Sequence, residues 1–494
     1  LEPISEPDAA ERPRSPPARG GRAYDLTTGP IGKTLLLFTL PLLGSNALQS
    51  LNGTANAAWV SHALGPQALT ATSNANIILF LMLGAAFGLS MSANLLIAQA
   101  IGAGDRDLAK RVVGSATGFF IVLSLSIGLG GNVLTPLILR AMQTPADAFG
   151  PAVTYLRVIF LALPFMFFFA FLMGAQRGVG DARTPFYFAV LAISMDVILN
   201  PVLIMGLGPA PRLGIAGSAL STLSSQTVSL LAMLIFLYRS GSVLVIRARE
   251  WRLLIPDMRI VRTLVAKGVP MAIQMTVMSG SAVMMISLVN RYGSHTAAAY
   301  GAATQLWTYV QMPAMALGAA VSSMAAQNVG AGRFDRVDRT AVIGALYALA
   351  LTAVPVVLIY LFGPLIFRLF LPADSPSLPI ALHLNGVVIW GFVAFGVAFV
   401  LAGVIRATGT VWPPLIGMII SLWLVRAPFA KLLEARLGAD AIWWSFPLGS
   451  ITSLGLALAY YRWGGWRKAR LLDALERAPP HRLDRPAAAE GAAE

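Results

Sequence analysis

The chain has 494 residues, 56% of them hydrophobic and only 12% charged, and a mean hydropathy of +0.71. Soluble domains carry about 25% charged residues, so this composition cannot cover a water-facing surface and points to an integral membrane protein. The absence of cysteine excludes disulfides, thiolate metal sites and thiol catalysis, and the net charge of +14 is placed as a topology signal, not as a nucleic-acid surface.

Residues 1–26, rich in Pro, Arg and Glu and lacking the apolar core of a signal peptide, read as a disordered cytoplasmic head. Apolar runs follow near residues 31–60, 67–98, 112–139, 152–176, 184–208 and 213–238. A basic linker over 241–262, with Arg247, Arg249, Arg252, Arg259 and Arg262 in or at its edge, leads to six more runs. These lie near 264–290, 297–326, 340–371, 379–405, 411–434 and 441–462, and residues 466–494 read as a solvated cytoplasmic tail. At about 20 apolar residues per crossing, the runs predict an all-α protein of twelve transmembrane helices. Their continuity is unlike the weak alternation of a membrane barrel.

The two sets of six repeat one another. Phe38-Thr-Leu-Pro41 matches Lys267-Gly-Val-Pro270, and Ala98-Gln-Ala-Ile-Gly-Ala-Gly104 matches Ala326-Gln-Asn-Val-Gly-Ala-Gly332. Arg177-Gly-Val-Gly180 matches Arg406-Ala-Thr-Gly409, again with a separation of about 228 residues. A shared period marks an internal duplication. Because six is even, both copies enter the bilayer from one side, giving parallel lobes over 27–240 and 263–465 with a cavity between them. About 28 of the 36 Lys and Arg lie at the termini and the even-numbered connections, which places both termini in the cytoplasm and the chain in the cell inner membrane. The basic residues then contact lipid headgroups, and nucleic acid is not expected as a partner.

Asp196, in Ser194-Met-Asp-Val-Ile-Leu-Asn-Pro201, is the acidic residue inside an apolar run. A carboxylate at mid-bilayer costs roughly 2.5–3.5 kcal/mol on insertion scales, so it marks a pathway more often than packing glue. Asn200 lies one turn on and shares its face. Gln49 and Asn52 extend a polar wall along the first helix toward a substrate cavity. Met278, Gln305 and Trp307, with Met275, Met284, Met285 and Tyr309, form a soft cluster suited to varied ligands, although plain packing is the favoured explanation. Pro41 and Pro270, matched between halves, are candidate hinges or static kinks. Gly102-Ala-Gly104-Asp105 lacks the residues of a phosphate or calcium loop and reads as a tight turn. His62, His295 and His383 are scattered, so no metal site or cofactor is expected, and no paired aspartates or nucleophile turn suggest an enzyme.

Gln-x-x-Gly-Ala-Gly at Gln99 and Gln327, Gln176-Arg-Gly-Val-Gly-Asp-Ala-Arg-Thr-Pro185, Leu64-Gly-Pro-Gln-Ala-Leu69 and Gly214-Ile-Ala-Gly-Ser-Ala219 together resemble multidrug and toxic compound extrusion (MATE) transporters over residues 27–465. The resemblance implies antiport: export of organic, often cationic, compounds driven by inward proton or sodium movement. It maps a first-helix Asp of the family onto Asn56, a fourth-helix Tyr onto Tyr155 and a sixth-helix polar position onto Thr222. It also shows Asp196 and Asn200 in reversed order relative to many members. Asp196, Asn200, Asn56 and Thr222 are therefore the expected coupling-cation site, and Gln49, Asn52, Tyr155, Met278, Gln305 and Trp307 the expected substrate cavity. The chain is expected to act as a monomer. Alternative readings are a flippase for lipid-linked saccharides, which calls for cavity arginines such as Arg426 or Arg157, and a receptor or assembly factor without transport.

Overall fold

The computed structural model describes residues 24–208, 210–372, 374–472 and 475. Most of the expected head and all but a few residues of the expected tail lie outside the described residues. Every regular element among them is helical. The first half comprises α1 (Ile31–Gly102), α2 (Arg106–Ala141), α3 (Ala146–Val179), α4 (Arg183–Met205) and α5 (Ile215–Ser240). The second comprises α6 (Met258–Val289), α7 (Ser294–Gly330), α8 (Phe334–Leu361), the short α9 (Gly363–Phe367), α10 (Ser377–Val388) and α11 (Gly391–Ala407). It ends with α12 (Trp412–Ile419), α13 (Ala427–Leu432), α14 (Glu434–Leu437) and α15 (Asp440–Trp463).

Helix α1 has 72 residues and would be about 108 Å long if straight, more than three times a hydrocarbon core of about 30 Å. It is not straight. The amide of Leu26, just before it, donates to Gln327 Oε1 at 3.3 Å, and Gly102 at its far end packs on the backbone of the same Gln327. The helix therefore doubles back and supplies two antiparallel crossings, Ile31–Asn56 and Ile78–Gly102.

Ten described segments are long and apolar enough to cross a membrane, and α10 with α11, bent by 44°, makes an eleventh. The twelfth is α7, whose 37 residues include Thr304, Gln305, Thr308 and Gln311 and are correspondingly less apolar. The result is an all-α membrane protein of twelve transmembrane helices in two six-helix lobes. The tenth apolar run, expected as one helix, breaks between Val388 and Gly391, where Gly391 meets the backbone of Pro447 on α15. The eleventh crossing contains a π-helical turn, Ile420–Arg426. Helices α1 and α6 continue through Pro41 and Pro270.

The glycine-rich loops are helix stops and starts. Asp105 Oδ1 accepts the Leu108 amide at 2.8 Å and caps α2; Asp181 Oδ1 accepts the amides of Arg183 and Thr184 at 2.9 and 3.0 Å and opens α4. Such caps satisfy donors that a helix N-terminus leaves free.

The lobes are clasped at the end that carries both described termini. Gln99 Nε2 donates to the Ala407 carbonyl of the other lobe at 2.7 Å, and Gln327 Nε2 donates to Gly178 at 2.8 Å. Gln99 Oε1 accepts the Leu471 amide at 3.0 Å, just as Gln327 Oε1 accepts Leu26. Gly102 rests on the Gln327 backbone and Gly330 on the Gln99 backbone, where any side chain would collide. Midway along this seam Asn94 Nδ2 donates to Ser323 Oγ at 3.2 Å. The clasp thus obeys the two-fold symmetry written in the sequence.

The connection between the halves docks on α2. Lys110 Nζ pairs with Glu250 at 2.7 Å, and Ser115 Oγ accepts the Asp257 amide at 3.2 Å. Gly114 and Gly118, one turn apart, let the Leu253–Leu254 backbone lie on the helix. Helix α6 starts at Met258, within the segment read as linker.

Candidate functional site

Helices α1, α4 and α5 converge on Asp196, which is 4% exposed. Asn52 Nδ2 donates to Asp196 Oδ2 at 3.0 Å, and Ser221 Oγ and Thr222 Oγ1 approach Oδ1 at 2.7 and 3.4 Å. One turn along, Asn56 Oδ1 accepts from Asn200 Nδ2 and from Ser218 Oγ, each at 2.9 Å. The pairs Asn52–Asp196 and Asn56–Asn200 form two rungs between α1 and α4, because residues four apart on each helix share a face. Tyr155 of α3, 2% exposed, lies within interaction reach of Asn56 and Asp196.

Asp196 therefore faces the interior of the first lobe, not lipid. No Lys, Arg or His among the described residues forms an ion pair with it. Its partners are neutral donors. The side-chain Oδ1 of Asn200 is buried without a hydrogen-bond partner, as are Ser225 Oγ, Gln226 Oε1 and Ser229 Oγ further along α5. Buried polar atoms are nearly always satisfied, so these oxygens are unused acceptors on the helices that carry Asp196 and its hydroxyl partners. Among the described residues no group of His, Cys, Asp or Glu is arranged to hold a metal.

The structure brings Asp196, Asn200, Asn56, Thr222, Asn52 and Tyr155 together in the first lobe. Gln49, a turn before Asn52, is exposed. Ser218 and Ser221 escaped the sequence reading. Their signal is the recurrence of small hydroxyl residues, Ser218, Ser221, Ser225 and Ser229, on one face of α5.

The second lobe has the opposite polarity. Arg426, 230 residues beyond Asp196 in the π-helical turn, stacks 3.4 Å from the centre of the Phe446 ring. Phe446 belongs to an aromatic cluster with Tyr300, Trp307 and Phe392. Trp307 is buried there, its Nε1 donating to Asn385 Oδ1 at 3.0 Å, so it packs the lobe interior.

Between the lobes, outward of the clasp, lies a partly open cavity of about 90 Å³. Met271, Met275, Met278 and Met315 line it with Phe399, and Arg177 and Arg406 project into it. Met278 thus stands on the cavity between the halves; Gln305 and Trp307 are not among its lining residues.

The MatE family model matches residues 41–202 and again 270–432, one copy per half. The probable multidrug resistance protein YoeA of Bacillus subtilis is 35% identical over 89% of this chain and 95% of its own length. The probable multidrug resistance protein YpnP of the same organism is 32% identical over 91% and 99%. Among solved structures, a MATE in complex with MaL6 superimposes with a TM-score of 0.82 at 22% identity, over 91% of this chain and 98% of that one. An outward-facing multidrug resistance MATE transporter gives a TM-score of 0.81 at 21% identity over 91% and 98%. At these identities the solved structures establish the fold.

Proposed function

The chain belongs to the MatE family of multidrug efflux transporters, and from that premise we propose that it exports small organic compounds by antiport, with Asp196 as the site of the coupling proton or sodium ion. The observation that carries this is the isolation of Asp196: buried, held by Asn52, Ser221 and Thr222, and without a basic partner among the described residues. A carboxylate so placed is a binding point for a proton, or for a cation shared with the oxygens of Asn56, Asn200 and Thr222. Arg426 at the corresponding depth of the second lobe makes that lobe a poor host for a cation, so coupling rests on the first. One charge moved inward supplies about 2.3 kcal/mol per 100 mV.

The positive-inside rule puts the clasped end in the cytoplasm, so this is an outward-facing state in an inner membrane. Neutralisation and release at Asp196 shift α1 against α4 and α5, and α1 also carries Gln99 of the clasp. Pro41 and Pro270 are the hinge candidates for the alternating motion. The test is substrate-induced proton release from purified protein, with and without sodium. Release abolished by sodium assigns both ions to one site; release unaffected by Asp196→Asn overturns the assignment.

A further inference from the structure

Two arginines in the central cavity have no part in the coupling scheme. Arg177 sits in the last turn of α3 and Arg406 in the last turn of α11, so each lobe contributes one guanidinium to the same space. Arg177 Nε donates to the Met173 carbonyl at 3.1 Å, and Arg406 Nη1 to Gln274 Oε1 at 3.4 Å. Arg406 also lies over the Phe399 ring, 5.2 Å from its centre. The remaining donors of each fork have no protein partner among the described residues, and neither head has a carboxylate in ion-pair reach. The nearest acid in sequence, Asp181, gives its oxygens to Arg183 and Thr184.

A guanidinium largely withdrawn from water is costly unless an anion or several acceptors meet it. The negative end of its own helix compensates only partly. Helix-end neutralisation explains the Arg177–Met173 bond; it does not explain two like charges brought from opposite lobes to one cavity wall. Beside them Met275, Met278, Met315 and Phe87 supply a deformable apolar surface. Together these are a charged clamp and a greasy bed.

We infer that the central cavity binds amphiphilic organic anions, the carboxylate, sulfonate or phosphate head held between Arg177 and Arg406 and the apolar body laid on the methionines. This rests on the transport reading and deepens it by naming a substrate class beside the organic cations that the family resemblance implies. Guanidinium forks suit such heads because they donate two parallel hydrogen bonds. A bound anion would also bridge the lobes next to the clasp.

The test uses two fluorescent probes with a naphthalene body and opposite charge, anilinonaphthalene sulfonate and naphthylmethylammonium, titrated into purified full-length protein in phosphatidylcholine nanodiscs. The sulfonate is expected to bind wild type more tightly than the ammonium. Arg406→Gln and Arg177→Gln are each expected to weaken the sulfonate about 10- to 100-fold while leaving the ammonium equal or tighter. Lysine at either position is expected to restore most of the loss. In phosphatidylglycerol nanodiscs, displacement of the sulfonate assigns the clamp to a lipid headgroup and retention assigns it to soluble anions; both are anion sites. Wild type that binds the ammonium as tightly as the sulfonate overturns the inference without recourse to any variant. Equal weakening of both probes by the glutamine variants also overturns it, because the arginines would then be holding only structure. Asp196→Asn can move the affinity of both probes through linkage but leaves both arginines in place, so the preference for the sulfonate over the ammonium is expected to persist, and loss of coupling and loss of the anion clamp are separable failures.

Discussion

Replacing Gln327 by Leu should open the clasped end. The side chain makes two bonds across the seam, to the Gly178 carbonyl at 2.8 Å and from the Leu26 amide at 3.3 Å. Leucine is of similar size but makes neither, and leaves both backbone groups unpaired in a buried place. Each such group costs about 1–3 kcal/mol, so the closed state loses about 2–6 kcal/mol. That is a shift of roughly 30- to 20,000-fold in the closed-to-open ratio. The open state is not penalised, because there water can reach both groups. Gln99→Leu removes the matched bonds to Ala407 and Leu471 and should act alike. The chain lacks cysteine, so spin labels on cysteines introduced at the exposed Asp107 and Asp335 report the separation of the lobes directly. Wild type should give one short distance, and either variant a second, longer population. An unchanged distance distribution in both variants would refute the idea that these glutamines hold the end shut.

Ser221→Ala removes the 2.7 Å donor to Asp196 and should weaken the coupling ion's apparent affinity about 10-fold, read as a raised half-saturating ion concentration for export. Ser229→Ala, on the same face but beyond the carboxylate's contacts, should stay within about twofold; equal effects would contradict the assigned shell. Gly114→Val places a side chain against Leu253 and should loosen the docked linker by about 1–3 kcal/mol, freeing the backbone at the already exposed Arg249 and Arg252 for faster trypsin cleavage; unchanged cleavage would count against docking. Glu250 is held below the ordinary glutamate value of 4.5, first by the hydrogen bond from Lys110 and then by the Arg247 amide. A depressed carboxylate gives stability that is complete above the ordinary value and vanishes as pH falls through the lower folded one. Protease resistance of the linker should therefore be full above the ordinary glutamate value and decline as pH falls below it, with the onset moving to higher pH in Lys110→Met. An onset that Lys110→Met leaves in place would exclude this pair as the cause.

The membrane architecture and its duplication are legible in the sequence because bilayer crossing forces long apolar runs, and matched motifs such as those around Gln99 and Gln327 survive at a constant spacing. The lone acid is legible for the same reason: Asp196 stands out against an apolar background. Its hydroxyl partners do not, since serine in a membrane helix commonly bonds its own backbone, and Ser218 and Ser221 look no different from Ser229. Trp307 and Met278 read alike as soft cavity residues, yet α7 turns the first into the aromatic interior of its lobe while α6 turns the second to the seam. Helix periodicity places residues on faces but does not say which neighbour each face meets. Arg177 and Arg406 read as basic loop residues at the ends of apolar runs. That they enter one cavity follows only from the way the two lobes meet behind the clasp, although their matched position in the repeat was the available hint.

The role of Asp196 is tested most directly by gradient-driven export of a fluorescent substrate from proteoliposomes carrying wild type or Asp196→Asn, under an imposed proton gradient and, separately, a sodium gradient. Wild type should accumulate substrate against its gradient with at least one of the two ions, and the variant should bind substrate and only equilibrate it. Undiminished uphill transport by Asp196→Asn would contradict the account.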